Sequence, residues 1–185
     1  MASSPRTIEL PASVLADLHR GLASEVGEAE AVRALQRSGF RAGEAFWAEL
    51  ERRWGAGLRD SSLPQFWERV SEFFDESGFG RLEFDGTHEA VGLVRADGWA
   101  ESVVEADLGL ASGEPAVPGC AFTCGVLSRM LTSVAGAPVA VLEVECRSAG
   151  GSCCTFAFGT EETMTIVHER LRVGRDWREV LTALA

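Results

Sequence analysis

Apolar residues recur at helical spacing over two N-terminal stretches. In 11–27, Val14, Leu15, Leu18, Leu22 and Val26 fall near one stripe; in 29–53, Val32, Leu35, Phe40, Gly43, Phe46, Trp47 and Leu50 do the same. Both stretches predict helices. Gly39 and Gly43, four residues apart, leave a notch where another helix can approach closely. WGAG at 54–57 ends the second helix with glycine near its C-cap. Ser61, Ser62 and Pro64 open a third helix, whose apolar face is Phe66, Trp67, Val70, Phe73 and Phe74.

The apolar period then shortens to two. RLEFDG (81–86) and HEAVGLVRA (88–96) predict short strands, and a Gly- and Pro-containing connection follows over 97–119. A fourth helix is expected over 119–135, with Phe122, Val126, Leu127, Met130, Leu131 and Val134 on one side. PVAVLEVEC (138–146) and SCCTFAFG (152–159) predict a hairpin turned by RSAGG. Helices over 161–173 and 176–184 close the chain, the last burying Trp177, Val180, Leu181 and Leu184. This succession predicts an α+β fold, an antiparallel sheet packed with helices. Residues 1–60 form an N-terminal helical extension and candidate dimerisation region, and residues 61–185 the domain that carries the chemistry.

Composition narrows the function classes. The formal charge is −11, and all 17 basic residues are arginine, none of them in a basic run. Gripping phosphates by counterion release needs a basic patch, so direct nucleic-acid binding and attachment to anionic lipid are disfavoured. The N-terminus has no secretory signal pattern, and no apolar run reaches the roughly 18 residues of a membrane helix. A cytoplasmic protein is expected, where five cysteines point to metal binding or reactivity more than to disulfides.

The chemistry concentrates in Cys120, Glu143, Cys146 and Cys154, spaced C-x22-E-x2-C-x7-C. Three thiols and a carboxylate can fill a tetrahedral zinc site, and four protein ligands make such a site structural. A hairpin symmetric about Gly150 would set Cys146 opposite Cys154, Val144 opposite Phe156 and Leu142 opposite Phe158, all on one face, with Cys153 on the other. In a regular strand Glu143 and Glu145 share the face opposite Cys146, so the strand must bend or bulge for Glu143 to reach the metal, and Glu145 competes for the role. Cys120 opens the fourth helix, where the dipole favours a thiolate. Against the metal stand two other readings: buried apolar cysteines, or a reversible Cys146–Cys154 disulfide. Cys124, one turn after Cys120, is a substitute ligand or a core residue.

With this spacing, the start CAFTCG and the pattern E-x-x-C-x-x-x-G-x-x-x-C, residues from about 80 to 160 resemble the 4-vinyl reductase domain family. This small-molecule-binding family includes a protein linked to bacteriochlorophyll synthesis and the aromatic-sensing N-terminal domains of NtrC-class activators. The resemblance implies a structural zinc on Cys120, Glu143, Cys146 and Cys154. It implies a fold shared with vesicle-tethering subunits and a homodimer formed through the N-terminal helices. It also implies an aromatic-ligand role for Trp99, which lies 21 residues before Cys120. The upstream histidine of the sensors has no counterpart; His88, in a predicted strand, is the nearest candidate, and Phe74 joins Trp99 and His88 as a candidate ligand contact.

The aromatic set Phe46, Trp47, Phe66, Trp67, Phe73 and Phe74 reads as core or dimer packing, or as a pocket shared with Trp99. His19 and His168 are expected on exposed helix faces, and Glu83, Asp85 and Glu89 toward solvent. No catalytic triad, GxSxG, GxGxxG or GxxxxGK[ST] is present, so enzymatic chemistry is not expected. The expected function is a zinc-stabilised sensory domain for a small hydrophobic or aromatic molecule, passing its signal to a protein partner. The alternatives are an interaction scaffold like the tethering subunits and an accessory factor in tetrapyrrole vinyl reduction.

Overall fold

The computed structural model describes residues 9–102 and 119–184. Most of the Gly- and Pro-containing connection expected over 97–119 therefore lies outside the described residues. The elements in chain order are α1 (Ser13–Val26), α2 (Glu28–Trp54), α3 (Leu63–Glu76), β1 (Arg81–Asp85), β2 (Gly92–Asp97), α4 (Ala121–Ala135), β3 (Ala140–Glu145), β4 (Cys154–Gly159), α5 (Glu161–Arg172) and α6 (Trp177–Thr182). The four strands form one antiparallel sheet in the order β1-β2-β4-β3. The fold is α+β, as the change of period predicts. No helix among the described residues is long and apolar enough to cross a membrane.

Strand alternation divides the sheet into two apolar faces. Leu82, Val94, Ala96, Val141, Cys154 and Phe156 point inward and join the aromatic side of α3 and the inner faces of α2 and α4. Leu93, Ala157, Leu142 and Val144 point the other way, under Met164 and Val167 of α5 and Val180 and Leu181 of α6. α3 starts where its cap residues predict: the Gln65 side chain accepts the Ser62 N–H at 3.2 Å.

The glycine notch in α2 receives α4. A methyl on Gly39 would lie 2.0 Å from the Phe122 carbonyl oxygen, and one on Gly125 would lie 2.1 Å from that of Gln36. The two helices therefore pack backbone against backbone. Because α4 begins just after Cys120, this crossing fixes where the first candidate metal ligand stands.

Three expectations need correction. Residues 86–91 are a loop, not the start of a strand, because the Asp85 carboxylate accepts the Thr87 N–H at 3.0 Å and turns the chain. His88 is thus a half-buried loop residue. In α1, Leu18 and Val26 of the apolar stripe are 60% and 48% exposed, while His19 is buried and meets Glu28 of α2 at 3.0 Å. The third correction is the hairpin register. Glu145 pairs with Thr155 but Glu143 with Phe156, leaving Val144 as the extra residue of a bulge. Leu142 and Val144 consequently face α5 and α6 instead of sharing the cysteine face.

Candidate metal centre and aromatic site

The bulge decides the chemistry of the centre. It turns Glu143, the partner of Phe156, onto the inner face, where an unbroken strand would not place it. Glu145 stays on the outer side, its carboxylate accepting from the Ser152 N–H at 3.1 Å and from Arg178 at 3.2 Å. Cys154 arrives from the start of β4, Cys146 from the residue after β3, and Cys120 from the N-cap of α4. The three sulfurs and a Glu143 oxygen all lie within 4.8 Å of one another. Cys120 Sγ and Cys154 Sγ are 3.6 Å apart. The Cys120 N–H donates to Glu143 Oε2 at 3.2 Å, and the Gly119 N–H reaches Cys146 Sγ at 3.5 Å. Cys153 lies half-buried against Thr155 of the outer face, 3.5 Å from its hydroxyl. Cys124 is buried one turn into α4 and outside this group.

Shared burial sets the protonation of the cluster. Four acidic groups share one buried volume, so their protons are distributed unevenly. The Cys146 thiol is pulled far down, chiefly by the hydrogen bond from Cys120 and then by that from Cys154. Cys120 is pushed far up by its bonds to Cys146 and Cys154 and by burial. At Cys154 the bond to Cys120 pulls downward, but Cys146 and burial outweigh it and hold the thiol at about 12. Burial, then the neighbouring Cys146, raises the Glu143 carboxyl to about 9. Glu143 Oε1 is buried with no hydrogen-bond partner. A divalent cation would remove both problems by stabilising the anions and engaging the orphaned oxygen. The donor set of three sulfurs and one oxygen suits thiophilic zinc. With zinc–sulfur bonds of about 2.3 Å, a tetrahedral sulfur–sulfur edge is about 3.8 Å, close to the 3.6 Å between Cys120 and Cys154.

The aromatic site adjoins this centre through α4. Trp99 is 1% exposed and contacts Phe74, Phe79 and Phe156 at centroid distances of 5.4, 5.8 and 6.3 Å. Its indole N–H donates to Thr123 Oγ1 at 2.8 Å, and the Thr123 hydroxyl donates in turn to Glu101 at 2.5 Å. Glu101 also accepts the N–H groups of Phe122 and Thr123, both at 2.8 Å, and so caps the first turn of α4 from a distance. Burial pushes the Glu101 carboxyl up to about 7, against the pull of those bonds and of nearby His19. The structure brings Trp99 and Phe74 together but not His88. Trp99 follows the end of β2, whereas His88 precedes its start, and β2 is six residues long. Glu101 and Thr123 were not legible as site residues, because their partners are 21 to 24 positions away. The only local hint was an acid two positions after the Trp.

No protein-family sequence model matches the chain, and no curated protein is similar to it in sequence. Solved structures do resemble it. The phenol-responsive sensory domain of the transcription activator PoxR, with phenol, is 19% identical over 83% of this chain and 76% of that one, with a TM-score of 0.65. A vinyl-4-reductase family protein from Methanocaldococcus jannaschii is 18% identical over 82% of each chain, with a TM-score of 0.51. Trafficking protein particle complex subunit 3 from Naegleria fowleri, covalently bound to palmitic acid, is 15% identical over 80% of this chain and 93% of that one, with a TM-score of 0.59. These likenesses show that the chain has the fold of that vinyl-4-reductase family protein, shared with the phenol-responsive sensory domain and the trafficking subunit.

Proposed function

We propose that this domain is a zinc-stabilised sensor for a small hydrophobic or aromatic molecule, acting in the cytoplasm through a protein partner. The observation that carries the proposal is the shared use of α4. Its first turn holds Cys120 of the metal centre and also the Thr123 and Glu101 link to Trp99. Zinc on Cys120, Glu143, Cys146 and Cys154 would pin the β3–β4 hairpin to α4, and α4 would hold the aromatic site. A ligand beside Trp99 and Phe74 would then be felt at both. Residues 1–60 supply the proposed dimer surface, supported by the exposure of Leu10, Leu18, Val26 and Phe40. A monomer mass in sedimentation at high protein concentration would remove that element.

Elemental analysis and a thermal-shift screen with aromatics test the core of the proposal. About one zinc per chain is expected, lost in Glu143→Ala and retained in Glu145→Ala. A folded, metal-free wild type, or zinc loss in Glu145→Ala alone, would refute the assignment. No stabilisation by any aromatic or aliphatic compound would refute the sensing role. The trafficking-subunit likeness favours a second reading, an interaction module; a stable protein complex indifferent to added aromatics would support it.

A further inference from the structure

Buried hydrogen-bonding groups are nearly always paired, so each exception asks for an explanation. Among the described residues three buried side-chain atoms have no partner: Glu143 Oε1, Arg170 Nη1 and Trp67 Nε1. The first belongs to the metal centre, and the second sits on α5, behind the sheet. Trp67 belongs to the inner core and is 2% exposed. Its ring lies against Phe66, Phe84 and Phe158 at centroid distances of 5.4, 5.8 and 5.6 Å. Phe84 stacks within 7° of the indole plane and cannot accept the N–H, which lies in that plane. Gly92 makes room for this cage: a methyl there would stand 2.1 Å from the Phe158 ring.

The contrast with Trp99 is chemical. The Trp99 N–H is already spent on Thr123, and the Thr123 hydroxyl on Glu101. A molecule entering the aromatic core finds no spare donor at Trp99 and, at Trp67, an N–H with no nitrogen or oxygen partner. Phe84 and Phe158, which border Trp67, are only half-buried, and the 86–91 loop with His88 joins β1 to β2 at this end of the sheet. The rings that border Trp67 are those of Phe66, Phe84 and Phe158, none of them charged.

We infer that Trp67 donates the hydrogen bond to the bound molecule. The molecule is an uncharged, compact aromatic that carries an acceptor, such as a carbonyl or ether oxygen. This inference rests on the sensing role proposed above and adds the ligand class and the residue that selects it.

The test uses the zinc-loaded full chain and two probes of nearly equal shape, acetophenone and α-methylstyrene, which differ by an oxygen in place of a methylene. Calorimetric titration is expected to show acetophenone binding about tenfold more tightly, the worth of one buried hydrogen bond. Trp67→Phe keeps an aromatic ring but no donor, and should bind both probes alike. Trp177→Phe, packed on the opposite face of the sheet, should keep the preference. In ¹⁵N spectra the Trp67 indole resonance, identified by its absence in Trp67→Phe, should move downfield with acetophenone and not with the hydrocarbon. This readout stands on the wild type even if a variant fails to fold. Equal affinities, a preference that survives Trp67→Phe, or a Trp67 resonance unmoved while acetophenone binds would each overturn the inference and leave the sensing role intact. If neither probe binds, and no other aromatic does, both fall together.

Discussion

The α2–α4 crossing makes a sharp prediction, because one chemical change should have opposite signs at two glycines. In Gly125→Ala the new methyl would stand 2.1 Å from the Gln36 carbonyl oxygen and 2.6 Å from the Phe40 nitrogen. Ordinary non-bonded contact needs about 3.5 Å, so the helices must part by more than an ångström. The obstructing atoms are backbone in the middle of the 27-residue α2, and no rotamer change relieves them. Overpacking typically costs about 1–3 kcal/mol, and with no soft neighbour we expect the upper end, about 3 kcal/mol. Gly21, inside α1, has nothing within 4 Å of the point where a methyl would stand. Gly21→Ala should therefore stabilise by about 0.5–1 kcal/mol through chain entropy alone. Urea unfolding reads both. With a slope of about 2 kcal/mol/M, the midpoint should fall by about 1.5 M in Gly125→Ala and rise by about 0.4 M in Gly21→Ala. The displaced α4 carries Cys120, so with zinc in the proposed centre Gly125→Ala should also lose the metal to a chelator faster than wild type. A Gly125→Ala midpoint within about 0.2 M of wild type would refute the argument from close backbone approach.

The buried link between Trp99 and α4 yields two more. Thr123→Val conserves shape but removes the acceptor of the Trp99 N–H and one donor to Glu101. It should cost about 2–3 kcal/mol in urea unfolding, and a loss below about 0.5 kcal/mol would show that these bonds do not hold the site. The Glu101 carboxyl sits at about 7 in the folded protein against its usual 4.5. Its contribution is complete below pH 4.5 and is lost as the pH rises toward 7, because folding then requires burying an anion. Relative to Glu101→Gln, wild type should lose up to about 3 kcal/mol between pH 4.5 and 7.5. His19 attracts only the ionised carboxyl, so the difference reports the carboxyl together with that pull, which reduces the loss. A difference that stays flat or rises across this window would reverse the assignment.

How much of this was legible in the chain depends on the range of the forces involved. Helices α1 to α3, the strands and the α+β class follow from apolar period and cap chemistry, which are local. The residue types of the candidate metal centre and their spacing stand in the sequence, and the fold brings the four donor atoms within 4.8 Å of one another. Gly39 and Gly43 announced a close helix approach, and only the identity of the partner, α4, was hidden. The family resemblance pointed to Glu143, but the strand pattern by itself left Glu143 and Glu145 in competition. The choice depends on the bulge at Val144, and that bulge is a property of how β3 pairs with β4, not of either strand alone. The period-two pattern assigns the wrong face to Leu142 and Val144 because a single extra residue inverts every side chain beyond it. His88 moved out of a strand through one Asp85 turn. The partners of Glu101, and the absence of one for Trp67, exist only once distant backbone and rings are brought together. Sequence by itself determined which groups were available and which elements carry them. Tertiary structure decided which of those groups meet and which are left unpaired, because hydrogen bonds and desolvation act over a few ångströms of space, wherever the groups stand along the chain.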